Sequence, residues 1–380
     1  MEQPNVSVII PTYNRGPILL NTLLSLKYQD YPQSRYEIIL VNDASTDNTM
    51  DVVQNLNIEN LKVFHKPKNQ GAGAARNTGI ENSEGKLVIF CDSDFVVPSS
   101  YISSHVETHK EDSSLAVSGM GHWYYLFSYD FRDQWYPFQD IDFVEVYNKD
   151  FIQERSSASK YLLTEQDIRE GNFEPFLFNP NYIKDWISMY EQLIQLFGER
   201  LENFQYPWLS FCTGNLSLLR DNLTSLRGFD ETFVRLEDWE LGYRFFQEGG
   251  KFCFSIKAEA YQQHHPINPE RNNVDVEMFK HLCCKHPSID IYLMALRLRE
   301  GLSYTNISKV LEQHKQLKAG TPEILPLLDR FEENMRDYAF LGKRNAHLNQ
   351  RGLTDGKYLN AIQKTSLYKE WMEAYHVTTQ

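Results

Sequence analysis

The sequence predicts an α/β fold: a doubly wound, mostly parallel sheet flanked by helices, with an aromatic-rich insertion and a helical carboxyl-terminal extension. Three observations carry that expectation. Short apolar runs rich in β-branched residues recur at Val6–Ile10, Glu37–Val41, Leu61–Phe64, Leu87–Phe90 and Leu115–Ser118, as in strands buried on both faces. Helix-length segments lie between them, the alternation that βαβ units produce. The runs end in polar loops, and right-handed crossovers set such loops along one edge of the sheet.

Each element has its own signal. Pro11 ends the first strand, the loop Thr12-Tyr13-Asn14-Arg15-Gly16 follows, and Pro17 opens a helix to about Tyr28, proline being favoured in a first turn. The second strand ends in Asn42-Asp43-Ala44-Ser45, and Ser45, Thr46 or Asp47 can cap the next helix, to about Leu56. Gly71 to Ser83 reads as a loop and helix, and Ser99 can cap another helix. Further on, Phe211–Leu219 reads as a strand, Leu236–Phe245 as a helix with Trp239, Tyr243 and Phe246 on one stripe, and Lys251–Ile256 as a strand. From about Pro269 the chain reads as helical, down to about Tyr375.

The most informative stretch is Leu87–Phe90 running into Cys91-Asp92-Ser93-Asp94. Along extended chain Asp92 and Asp94 would point to one side, at the strand end where open α/β sheets hold ligands. Two hard oxygen donors suit Mg²⁺ or Mn²⁺ better than zinc; a solvated turn is the competing reading. Thr12–Asn14, Asp43 and the Asp92/Asp94 pair should meet in one crevice. Glu237 and Asp238 occupy a helix's first turn, where the dipole favours carboxylates, so capping alone could explain them. The adjacent His264 and His265 make a metal arm or an ordinary pair of histidines.

Bulk properties exclude several classes. A net charge of −13 over 380 residues opposes nucleic-acid binding and gives no polybasic handle for an anionic membrane. No apolar run approaches the ~20 residues of a bilayer span. The five cysteines form no CxxC pair, which points to a reduced compartment, and Cys283-Cys284 reads as packing. The expected location is cytoplasmic, a peripheral seat on the inner face of a membrane being open. Residues 120 to about 205 gather Trp123, Tyr124, Tyr125, Phe127, Tyr129, Phe131, Trp135, Tyr136, Phe138 and Trp186, either a stacking face for a ligand or a satellite core. Gly71-Ala-Gly73-Ala-Ala-Arg76 half-matches the dinucleotide fingerprint, but Arg76 cannot give the close contact its third glycine allows.

Val6–Asn14, Val41–Thr49, Gln70–Thr78, Cys91–Asp94 and Leu236–Arg244, in this order and spacing, resemble family 2 glycosyltransferases of the GT-A fold. Thr213–Ser217, followed by Gly228–Glu231 and Glu237-Asp238, is similar to a carboxyl-terminal motif shared with galactosyl- and N-acetylgalactosaminyl-transferases and chondroitin-type polymerases. The resemblance covers about residues 5–120 and 208–266. It implies a catalytic domain over 1–266; the insertion at about 120–205 and the helical extension over 267–380 have no counterpart in the family and are expected to build acceptor recognition.

What the resemblance implies for function is a metal-dependent, inverting transfer of a hexose or N-acetylhexosamine from a UDP-sugar to an acceptor hydroxyl. Thr12 and Tyr13 would contact the nucleoside, with Pro11, Asn14 and Ser93 in the same donor loops, and Asp43 would accept from the uracil edge. Arg76 would brace the site. Asp92 would hold ribose or metal, and Asp94 would coordinate Mn²⁺ or Mg²⁺ (the DxD motif), with His264 or His265 as a third ligand. Asp238 would be the general base, kept ionised but weakened by its place in the first turn, so that desolvation on substrate binding would have to compensate, and Glu237 would orient acceptor or helix. The acceptor could be a glycan, a lipid-linked sugar, a peptide or a small molecule. Where the related motif often has a histidine after the tyrosine, this chain has Gln262. The competing classes are a non-catalytic nucleotide-sugar-binding module that scaffolds a partner enzyme, and a nucleotidyltransferase, against which the missing glycine-rich loop with a following lysine argues.

Overall fold

A computed structural model describes residues 5–120, 125–131, 149–178, 184–265, 271–300, 303–320 and 325–340. The chain divides into two compact units, Met1–Glu202 with Pro207–Pro269, and Asn203–Tyr206 with Glu270–Gln380.

The first unit is built on the expected strands: β1 (Val6–Thr12), β2 (Tyr36–Asn42), β3 (Leu61–His65), β4 (Leu87–Cys91) and β6 (Leu115–Gly119), with β9 (Asn215–Leu219) and β10 (Lys251–Ser255). They form one seven-stranded sheet in the order β10-β6-β9-β4-β1-β2-β3. Every pairing is parallel except those of β9, which runs antiparallel to both β4 and β6. The helices α1 (Gly16–Lys27), α2 (Thr49–Gln54), α3 (Ala72–Glu81) and α4 (Tyr101–Glu111) alternate with the strands. β1, β2 and β4 are buried at every position, as strands covered on both faces must be. Each aliphatic side chain so buried contributes about 1.5–3 kcal/mol.

Four smaller strands form a second sheet in the order β5-β11-β7-β8: β5 (Phe95–Val96), β7 (Tyr125–Leu126), β8 (Leu177–Phe178) and β11 (Tyr261–Gln263). Over it sits a satellite core that includes Leu24, Val96, Leu126, Leu162, Phe173, Phe176 and Tyr261. Strands of two or three residues carry no periodicity, so the sequence showed none of this sheet. α5 (Lys149–Ala158) and α6 (Glu165–Glu170) give Ile152 and Ile168 to this core, whereas α7 (Lys184–Phe197) sets Tyr190 edge-on to Phe254 of β10 at 5.3 Å. Trp123, Tyr124, Trp135, Tyr136 and Phe138 lie outside the described residues.

Three local expectations change. Asp47 alone of the expected caps meets the start of α2, its Oδ1 accepting from Thr49 N at 3.0 Å, while Ser45 and Thr46 face Asn14. α4 begins after Ser100, and Ser99 instead accepts Asp30 N at its carbonyl. The strand expected from Phe211 begins only at Asn215, and ahead of it a 3₁₀ turn, Pro207–Ser210, packs Trp208 against Trp239 and Tyr243 of α9 (Glu237–Gln247) at ring separations of 6.2 and 5.4 Å. Gly242 makes that approach possible, since a Cβ there would lie 2.6 Å from Phe211 Cβ.

The second unit contains α10 (Arg271–Lys285), α11 (Ile289–Glu300), α12 (Tyr304–Gly320) and α13 (Leu325–Phe340). Helix expected beyond residue 340 lies outside the described residues. Cys283 is buried as packing requires, but Cys284 is exposed, and all five cysteines are free thiols. No described helix is long and apolar enough to cross a membrane.

Candidate active site

The loops after β1 and β2 are clasped together. Parallel register puts Thr12 beside Asn42, and Asp43 N donates to Thr12 O at 2.9 Å. Asn14 takes a left-handed conformation (φ 53°), donates from its backbone to Ser45 Oγ at 3.0 Å and accepts Thr46 N at 2.8 Å. The first amides of α1 are satisfied across the same seam, Arg15 N by Thr49 Oγ1 and Gly16 N by Asp47. Asn14 is therefore committed to holding the loop. Pro11 and Thr12 are buried, the Thr12 hydroxyl has no partner among the described residues, and Tyr13 is 41 % exposed.

Asp43 is buried and accepts Gln70 N at 3.0 Å and Gly71 N at 2.8 Å. These bonds and the positive φ of Gly71 (92°) shape the loop into α3, which is what the glycines of the half-matched fingerprint do here. A carboxylate has about four lone-pair sites, so Asp43 retains capacity for another donor.

β4 stops at Cys91, and Asp92 to Phe95 is a turn closed by Phe95 N to Asp92 O at 3.1 Å. The alternation expected to align Asp92 with Asp94 therefore does not extend past the strand, and the two acids have different partners. Asp92 Oδ1 accepts from Arg76 Nη2 at 2.7 Å. Asp94 Oδ2 lies 2.9 Å from His265 Nε2 and accepts Gln262 Nε2 at 3.0 Å. Burial alone would raise the Asp94 pKa; the bond to His265 and its electrostatic effect, then Arg15 and Gln262, outweigh it and hold the pKa at about 2.

This end is fixed from below by a polar stripe on α1. Thr22 Oγ1 donates to the carbonyl of buried Ser93 at 2.9 Å, and Ser25 Oγ accepts Val97 N. Gln263, fully buried, bonds Asn21, Ile18 O and Thr22, and its backbone N donates to Asp94 O at 2.7 Å. Sequence reasoning passed over Asn21, Thr22 and Gln263. Their only signal was polar residues on an otherwise apolar helix and strand.

Opposite Asp92 is the first turn of α9. Leu236 precedes it at φ 61°, a costly conformation for a branched side chain. Glu237 is buried and accepts Arg76 Nη1 at 2.9 Å, so one guanidinium links the end of β4 to α9. Gly73 lies against this link, where a Cβ would make ordinary contact with Phe229 and Glu237 at 3.4 and 3.5 Å. Burial works against the charge on Arg76, but Asp92 and Glu237 outweigh it and raise its pKa. Asp238 accepts Trp239 N at 2.8 Å. The sequence had its acidity favoured by the helix dipole. In the structure burial, then the neighbouring Glu237 charge, override Arg76 and that backbone donor and push Asp238 up to about 7. Cys212, which sequence reasoning left unassigned, stands near Asp238 and Asp92, burial and then the Asp238 charge raising its thiol to about 12.

The expected three-ligand set does not assemble: among the described residues no group of three His, Cys, Asp or Glu side chains could hold a metal ion. Asp92 is engaged by Arg76. His264 packs edge-on to Tyr125 and Phe127, at 6.1 and 5.7 Å, and burial lowers its pKa to about 4. His265 is the histidine beside Asp94. The Asp94–His265 pair nonetheless fits a small divalent cation. Neighbouring ligands of an octahedral ion at about 2.1 Å are roughly 3 Å apart, close to the 2.9 Å found here. The Gln262 amide, turned over, would offer an oxygen to the same point.

Residues 7–161 match the family described as Glycosyl transferase family 2. An uncharacterized glycosyltransferase of Bacillus subtilis, YfnE, is 29% identical over 293 residues, spanning 76% of this chain and 72% of that protein. Validoxylamine A glucosyltransferase of Streptomyces hygroscopicus is 28% identical over 293 residues, 75% of this chain and 62% of that enzyme. Among solved structures, S. aureus TarS 1–349 in complex with UDP-GlcNAc is similar at a TM-score of 0.48 and 17% identity, covering 88% of this chain and 81% of that one.

Proposed function

From the premise that the chain is a family 2 glycosyltransferase, its family region spanning residues 7–161, we propose that it moves a hexose or N-acetylhexosamine from a UDP-sugar to an acceptor hydroxyl with inversion. The observation that carries this reading is the Arg76 link. It gathers Asp92 and Glu237 about one guanidinium and so sets Asp238 next to the end of β4, a few residues from Asp94.

The two outer acids suit opposite tasks. Asp94, held at about 2, is always ionised and, with His265, would hold Mn²⁺ or Mg²⁺. A cation there supplies Lewis-acid neutralisation of the departing diphosphate. Asp238, near 7, has the pKa of an effective general base at neutral pH. It accepts the acceptor's hydroxyl proton as that oxygen bonds to C1. The bond from C1 to the diphosphate breaks on the opposite face, and its electron pair leaves with UDP. Arg76 and Glu237 keep Asp238 in place. Thr12, Tyr13 and Asp43 receive the nucleoside, the Thr12 hydroxyl gaining the partner it lacks.

UDP release from a panel of UDP-sugars, followed by mass spectrometry with and without Mn²⁺, tests the proposal. Release that requires the cation and is abolished by Asp94→Ala supports it. Release from no donor, or release indifferent to Asp94→Ala, overturns it; calorimetric UDP binding without turnover would instead favour a non-catalytic module.

A further inference from the structure

We propose that Tyr129, Phe131 and Tyr161 form a stacking platform for a pyranose ring, so that the acceptor is a neutral glycan; this rests on the transfer reading above and deepens it. The segment 125–131 leaves β7 through a tight turn that Ser128 N closes onto Leu126 O at 3.1 Å. Leu126 and Ser128 are fully buried, whereas Tyr125, Phe127, Tyr129 and Phe131 are half-buried. Four of the segment's five half-buried positions are aromatic, Asp130 being the fifth. Tyr129 and Phe131 lie 4.7 Å apart, and Tyr161 meets Tyr129 edge-on at 5.1 Å while remaining 38% exposed.

The platform is pre-set. Phe127 N donates to Phe176 O at 2.9 Å, Asp130 N to Lys160 O at 2.8 Å and Leu162 N to Ser128 O at 3.0 Å, so both edges of the segment are tied down. Rings held this way lose little freedom on binding. The strip is also continuous with the candidate active site. β7 runs parallel to β11 with Tyr125 beside Gln262, whose amide bonds Asp94, and His264 N donates to Leu126 O. Tyr125 and Phe127 then flank the His264 ring. The rings thus lead outward from the Asp94–His265 pair, along a course an acceptor chain could follow.

The ring chemistry selects the ligand. A pyranose has an apolar C–H face and a hydroxyl rim, and tyrosine answers both with a π face and a phenol. An acyl chain has no use for the phenols, and a net charge of −13 disfavours an anionic polymer.

Calorimetric and saturation-transfer NMR titration of the full chain, without nucleotide, tests this with neutral tetraoses of glucose, galactose and N-acetylglucosamine. At least one should bind, with affinity falling about tenfold or more in Tyr161→Ala and in Tyr129→Leu, the scale of one lost stacked ring, and falling by a smaller factor in Tyr161→Phe, which keeps the ring and loses its phenol. UDP release without acceptor should be unchanged in all three. Binding of none of the tetraoses, or equal binding by Tyr161→Ala and Tyr129→Leu, overturns the platform. Because the titration needs no donor, a failed UDP-release assay would sink the transfer reading separately.

Discussion

Two carboxylates, one on each side of Arg76, begin from the same circumstance and end far apart. Asp94 is buried and Asp238 half-buried, and loss of water by itself favours the neutral acid. At Asp94 a histidine, a primary amide and the nearby Arg15 face the carboxylate, and its pKa falls to about 2. At Asp238 the nearest charge is another carboxylate, Glu237, whose own guanidinium partner is shared with Asp92, and the pKa climbs to about 7. Burial sets no role; what stands opposite the buried acid does. Pairs of acids whose surroundings drive their pKa values apart mark a division of labour between binding charge and moving protons.

The most damaging way to break this contrast is Asp238→Asn, which keeps shape and removes the base. Transfer should fall by roughly 10²–10⁴-fold with UDP affinity unchanged, as steady-state kinetics beside calorimetry would show. The same variant should not lose stability at pH 8. A raised carboxyl stabilises the fold below its unfolded pKa of about 3.9, and that contribution is lost as pH rises through about 7. Thermal melts at pH 8 check this, and a lower midpoint for the variant would contradict it.

Asp94→Asn attacks the other side. It should cost on the order of 10²-fold in transfer, the usual scale for removing one electrostatic support of a charged transition state, and should abolish Mn²⁺ dependence while leaving the pH of half-activity unmoved. Arg76→Ala removes the link and leaves Asp92 and Glu237 facing one another, an expected loss of about 3 kcal/mol in urea unfolding. Gln263→Ala touches neither acid but frees the backbone beneath Asp94. It should cost about 1–3 kcal/mol of stability and weaken cation affinity more than it alters the pH profile. The finest adjustment is Glu237→Gln. Removing the like charge lowers the Asp238 pKa, so the acid limb of the pH profile should move to lower pH.

How much of this could be read in the chain depended on how far each feature rests on local pattern. The strands β1, β2 and β4 are continuous apolar runs and announced themselves, as did the polar stops at Thr12, Asp43 and Asp92. β7 and β11 are too short for a period, yet they bring Gln262 and His265 to Asp94, a contact about 170 residues apart in sequence (|i−j| 168 and 171). The alignment expected of Asp92 and Asp94 failed because the strand ends at Cys91 and a turn intervenes. The compensation expected at Asp238 only on substrate binding is already present in the fold, where burial and the Glu237 charge outweigh the first turn. Gln263 and Thr22 were invisible for another reason: a buried amide or hydroxyl is unremarkable in sequence until the backbone it serves is known.

The most direct test of the contrast is the pH dependence of UDP release from an accepted UDP-sugar, measured with saturating Mn²⁺ for the unmodified chain and for Asp238→Asn. Activity in the unmodified chain should rise through half its maximum near pH 7, and the variant should be at least 100-fold slower with no such rise, on the scale of a lost general base. A variant that keeps the rate, or keeps the same limb near pH 7, would show that Asp238 does not carry the proton.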